Sequence, residues 1–213
     1  DMDTPEVIKK AAEEALRAGK TKYTATAGIL PLRKAIAGTL RERQGLNYDP
    51  AQVMVTSGAK QALTNAFAAV LNPGDEVLLP APCWLSYPEL IRMADGVPVA
   101  IETGADTGYV PSPAQLRAKL SDKTRAVLLN SPNNPTGAVY SREQLAQIAD
   151  FAGEHDLALI SDEIYEDFVY EGARHVSIAS LSEDARERTI IVNGFSKAFA
   201  MTGWRLGLSL IHI

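Results

Sequence analysis

A chain of 213 residues, 46% of them hydrophobic and 22% charged, can bury one substantial core. Its net charge of -5, with lysines and arginines interleaved among acids, argues against a nucleic-acid surface. Cys83 is the sole cysteine, which excludes a disulfide framework and fits a cytoplasmic setting, and no apolar run reaches the length of a membrane span.

Residues 1–25 read as an N-terminal helical segment and loop, with the stretch KTKYTATAGILPLR (20–33) leading into a core over 26–213. Strands are expected at 51–57 (AQVMVTS), 76–82 (EVLLPAP), 96–102 (GVPVAIE), 125–131 (RAVLLNS), 157–163 (LALISDE) and 189–194 (TIIVNG). Helical patterns lie between them at 60–71, 112–120 and 141–155, the last opened by Ser141 and Gln144 in the spacing of a capping box. Several strand runs are apolar almost without alternation, as in strands buried on both faces. Strand and helix alternate, so the class is α/β with a mostly parallel sheet.

In such sheets ligands bind beyond the carboxyl ends of the strands. Gly58 follows the first strand and opens a helix whose free N–H groups suit a phosphate or carboxylate, though any strand-to-helix turn wants a small residue. Ser57 and Lys60 beside it serve either the anion or ordinary capping and solvation. Trp84 after the second strand is either core or a flat platform for a ring. Asn134, in SPNNPTG, is either a turn residue or an amide aimed at a ligand. Asp162 and Tyr165 are either a helix cap and a core-edge tyrosine, or an acid that holds a pyridinium protonated with a hydroxyl beside it.

Lys197, in NGFSKAFAMTGWRLG after the sixth strand, is either a surface cation or an amine made nucleophilic by apolar neighbours. Arg205, eight residues on, is either an ion-pair partner or a planar fork for a phosphate. Taken together, an amine for a Schiff base, an acid for a ring nitrogen, an aromatic plate and an anion-binding turn form the inventory a pyridoxal phosphate site needs. His155, His175 and His212 lack the spacing of a helical metal pair and are read as structural or exposed, and no metal site is expected.

From KYTATAGILPLRKAIA through VTSGAKQAL, LNPGDEVLLPAPCWLSYPE, NSPNNPTGAVYS and SDEIYEDFVYEG to NGFSKAFAMTGWRLG, the chain resembles the class I and II aminotransferases of pyridoxal-phosphate fold type I, nearest the bacterial aspartate enzymes. The resemblance implies a three-layer α/β/α large domain. It also implies that Lys197 forms the Schiff base and moves a proton between the substrate Cα and the cofactor. Asp162 would pair with the pyridine nitrogen, Tyr165 and Asn134 would bond the phenolic oxygen, and Trp84 would stack. Gly58, Ala59 and Lys60 match the phosphate turn, with Arg205 adding charge. Tyr23 matches a tyrosine that reaches the neighbouring subunit's phosphate, which implies a homodimer. Gly194 stands where some relatives carry a serine, leaving open whether Ser196 supplies that hydroxyl.

The expected activity is transfer of an amino group from an amino acid, aspartate first, to a 2-oxo acid. The same scaffold also hosts lyases, synthases and cofactor-sensing domains of transcription regulators, which remain as alternatives. A start at Asp1 without methionine and the tail SLIHI suggest a fragment without the small domain and its carboxylate-binding arginine. Such a piece is expected to turn over little by itself.

Overall fold

The computed structural model describes residues 2–170 and 172–211. Two helices, Glu6–Arg17 (α1) and Leu30–Gln44 (α2), precede strand Val53–Thr56 (β1). Then come Ala59–Val70 (α3), Glu76–Ala81 (β2), Ser86–Met93 (α4), Val97–Glu102 (β3), Pro113–Lys119 (α5) and Thr124–Asn130 (β4). The chain closes with Arg142–Glu154 (α6), Ala158–Asp162 (β5), Glu183–Glu187 (α7), Thr189–Gly194 (β6) and Gly207–Leu210 (β7). No helix among the described residues is long and apolar enough to cross a membrane.

All six expected strands form, and a seventh joins them in the order β1-β7-β6-β5-β4-β2-β3. Pairings from β2 through β6 are parallel, whereas β7 runs antiparallel to both β1 and β6. Reversal against two neighbours leaves β1 pointing the same way as the rest. The carboxyl ends of β1, β4, β5 and β6 and the start of β7 therefore meet at one edge.

The near-continuous apolar runs follow from burial on two faces. Within β4, Ala126 and Leu128 pack with α3 and α4, while the alternate residues Val127 and Leu129 pack with α5 and α6. Fully burying each such Val or Leu is worth about 1.5–3 kcal/mol. Ile36, Ala37 and Leu40 of α2 extend the second of these layers over β1 and β7. The result is the three-layer α/β/α arrangement.

The loop expected over 20–33 stops at Ile29, because Leu30 begins α2. Pro31 lies in the first turn of that helix, where its missing N–H costs nothing. The capping box of α6 is present, with Gln144 N–H donating to Ser141 Oγ at 3.2 Å and Ser141 N–H to Gln144 Oε1 at 2.8 Å. His212 lies outside the described residues.

Beneath the start of α3, Gly207 of β7 meets the backbone of Gly58 and Ala59 so closely that an added Cβ would collide with it. Backbone cannot swing aside as a side-chain tip can. Gly207→Ala is therefore expected to lower stability by about 1–3 kcal/mol, read as a fall in the urea midpoint at constant slope.

Candidate active site

Beyond Gly194 the chain turns through 195–206 and returns as β7, with Lys197 in that turn. Phe199 N–H donates to Phe195 O at 3.2 Å and Met201 N–H to Ser196 O at 3.1 Å, so the turn is closed by its own backbone. Ala200 and Arg205 adopt left-handed conformations, φ 51° and 54°. The turn walls a cavity of about 340 Å³ at the sheet edge. Lys197 reaches this cavity, its Nζ 5.5 Å from the Tyr165 ring centre. Among the described residues no carboxylate lies within ion-pair distance of it.

Asp162 ends β5 at the floor of the cavity and is 3% exposed. Tyr87 Oη donates to its Oδ2 at 2.8 Å, and Ile164 N–H to its Oδ1 at 3.1 Å. Burial, helped by the neighbouring Glu163 charge, pushes the Asp162 carboxyl up to about 6 against the pull of those two donors. Tyr87 is itself held neutral, first by burial and then by Asp162.

Tyr87 was not singled out from the sequence. It comes from α4, three residues after Trp84, and its ring meets that indole edge-on at 5.3 Å. The one signal for it was the helical spacing of two aromatics in CWLSYPE.

On the other side of Asp162, Asn134 Nδ2 donates to Tyr165 Oη at 3.4 Å. The loop carrying Asn134 is held by Asn130, which is 4% exposed at the end of β4. Asn130 accepts Asn134 N–H at 2.8 Å and donates to the Asp162 carbonyl at 2.9 Å. This one amide fixes the distance between two candidate site residues, and sequence reading passed over it.

At the far end Gly58 precedes α3 with φ 79°, a conformation that L side chains avoid. A Cβ there would strike the Arg205 guanidinium, which donates from Nη1 to Thr202 O at 3.0 Å. Lys60 Nζ lies 4.9 Å from the Trp84 ring centre. Ala59 and Ser196 also line the cavity, Ser196 at 8% exposure. Lys60, Lys197, Arg205 and the positive end of α3 thus converge without a carboxylate partner among the described residues.

Tyr23 is the one expected site residue away from this cavity and its immediate wall, fully exposed on the loop before α2. Gly194 is packed against Ile164 Cδ1, Leu206 O and Gly207 Cα, each 3.0–3.2 Å from where a Cβ would stand. A serine there would need its neighbours to give way. Ser196 and Thr202 both bring hydroxyl-bearing side chains to the cavity lining.

Behind the sheet, His175 Nε2 pairs with Glu163 Oε2 at 3.1 Å, while Ser161 and Ser177 donate to Glu163 Oε1 at 2.9 and 2.7 Å. Burial pulls the His175 pKa down, but the Glu163 hydrogen bond and nearby carboxylates raise it overall. Glu166 completes a group whose ligand atoms lie within 4.8 Å of one another, spacing open to a metal ion. Both Glu163 oxygens already have partners.

The family model for aminotransferases of class I and II matches residues 1–212. An aspartate/prephenate aminotransferase from Thermus thermophilus is 52% identical over 97% of this chain and 53% of its own length. The solved structure of aspartate aminotransferase from Thermus thermophilus with maleate superposes with a TM-score of 0.94 at 51% identity, covering 99% of this chain and 54% of that one. An aromatic aminotransferase from Pyrococcus horikoshii OT3 gives a TM-score of 0.96 at 48% identity, covering 99% and 56%. The chain spans about half the length of the curated relatives it matches.

The buried acid leaves a mark on stability. Its carboxyl titrates near 6 in the fold against an ordinary 3.8, so its favourable contribution is complete below about pH 4 and is lost as pH rises through 6. Asp162→Asn is expected to stabilise the chain by about 1–3 kcal/mol at pH 7.5 and by nothing measurable near pH 4. Urea titrations at the two pH values check this, and an equal effect at both would remove burial as the cause.

Proposed function

For this chain, which belongs to the class I and II aminotransferases, a family dependent on pyridoxal phosphate, we propose that the cavity binds that cofactor and serves transfer of an amino group to a 2-oxo acid. One observation carries this reading. A single cavity joins a buried acid, a lysine and an anion-binding end, the two latter without a carboxylate partner among the described residues. Its volume, about 340 Å³, lies in the range of small-ligand pockets.

The donor set fits the cofactor. The N–H groups at the start of α3, the Lys60 amine and the Arg205 guanidinium take the phosphate. Asp162 holds a proton on the ring nitrogen, with an anion favouring the charged form of its neighbour. Tyr87 keeps that carboxylate in place from behind. Asn134 and Tyr165 hydrogen-bond the ring oxygen, and Trp84 lies against the ring. Bound here, pyridoxal phosphate supplies an aldehyde that exchanges amines and a ring that accepts the electron pair left when a Cα proton departs. Lys197 Nζ would hold the aldehyde carbon with loss of water and, once an incoming amine had displaced it, would be the base within reach of the substrate Cα proton.

Aspartate is the proposed donor. Support comes from the relatives named for it and from the Thermus structure with maleate, a four-carbon dicarboxylate. Tyr23, fully exposed and without a hydrogen-bond partner in its own chain among the described residues, is assigned to a second copy's cofactor phosphate. The cytoplasm is the proposed setting. The substrate α-carboxylate is assigned to no residue of this chain, and this chain alone is expected to turn over little.

The test is to add pyridoxal phosphate, reduce with borohydride and map the modified lysine by peptide mass. Label is expected on Lys197 and lost in Lys197→Ala, and label scattered over surface lysines would sink the reading. Arg205→Gln is expected to weaken pyridoxal phosphate about tenfold, the size of one charge-assisted hydrogen bond, while leaving unphosphorylated pyridoxal unchanged.

A further inference from the structure

Thr4 is the only buried residue between 2 and 35, at 8% exposure. Helix α1, which follows it, buries none of its residues. Among the described residues, the hydrogen bonds that tie residues 2–22 to the rest of the fold all belong to the Thr4 hydroxyl. Thr4 Oγ1 donates to Ala200 O at 2.6 Å and accepts the Trp204 indole N–H at 3.1 Å. Donor and acceptor capacity of the hydroxyl are thus both engaged on the turn that carries Lys197.

Both contacts fall where the turn is hardest to hold. Ala200 sits at φ 51°, disfavoured for a residue with a Cβ, and its N–H donates to Lys197 O at 3.3 Å. Trp204 immediately precedes Arg205, the second left-handed residue of the turn, and its N–H donates to Met201 O at 3.2 Å. One hydroxyl therefore spans the segment from just after the lysine to just before the arginine.

We propose that Thr4 is a positioning residue for Lys197 and Arg205: its hydroxyl clips the N-terminal segment across the 197–205 turn and so holds the two cations at the cavity. The inference rests on the assignment of Lys197 to the cofactor for its catalytic meaning, but not for the clip itself. It makes the N-terminal segment part of the site's geometry without touching the cavity. Displacement of that segment would release Ala200 and loosen the lysine.

The experiment compares the chain with Thr4→Val, which keeps shape and loses the hydroxyl, and Thr4→Ser, which keeps the hydroxyl. Without cofactor, amide hydrogen exchange at Ala200, Met201 and Trp204 is expected to quicken about fivefold in Thr4→Val, the factor one hydrogen bond corresponds to. Amides of β4 and β5 should hold their rates, and Thr4→Ser should restore the turn. With pyridoxal phosphate and borohydride, label should enter Lys197 about fivefold more slowly in Thr4→Val, again with rescue by serine.

Unchanged exchange in the turn, or acceleration spread equally over the sheet, overturns the proposal. Faster exchange in the turn of a chain whose Lys197 takes no label supports the clip and defeats the cofactor reading instead.

Discussion

The insertion of β7 between β1 and β6, against the direction of both, is the constraint on which the site depends. A strand that returned parallel would have needed a crossover to the opposite end of the sheet. By reversing, the chain leaves β6, makes the turn with Lys197 and re-enters at the same edge with Arg205 beside Gly58. The lysine, the guanidinium and the start of α3 are neighbours because one strand runs backwards. The glycines at 58 and 207 let the two backbones approach closely enough for this.

The cavity that results is electrically polar along its length. The acid sits buried on the cavity floor, Arg205 lies against Gly58 at the start of α3, and Lys60 and Lys197 line the same cavity, with no carboxylate partner for any of these cations among the described residues. Such separation costs stability, since the acid is desolvated and the positive groups repel. A ligand with a cationic ring and an anionic tail relieves both at once. That match of charge along the cavity, more than any single contact, is why the same residue set makes poor structural sense and good binding sense.

Much of this was legible in the chain itself. Buried parallel strands announce themselves because both faces need apolar residues, and the residues just after them are the only ones free to do chemistry. Order within the sheet and the reversal of β7 were not legible, since GLSL reads alike in either direction. Residues 30–33 are read as the end of a loop, although Pro31 suits the first turn of a helix and Leu32, Ile36 and Leu40 follow at helical spacing. Tyr87 and Asn130 escaped for a different reason. Their roles lie in partners distant in sequence, Asp162 being 75 and 32 residues away, and no local pattern encodes such a pairing.

Asp162 and Glu163 are consecutive, so the alternation of a strand sends them to opposite faces, one to the cavity and one to His175. The sheet is then a partition one backbone thick with a carboxylate on each side, and the two feel each other through it. The rear layer thereby adds to the burial that keeps the cavity acid above its ordinary titration range.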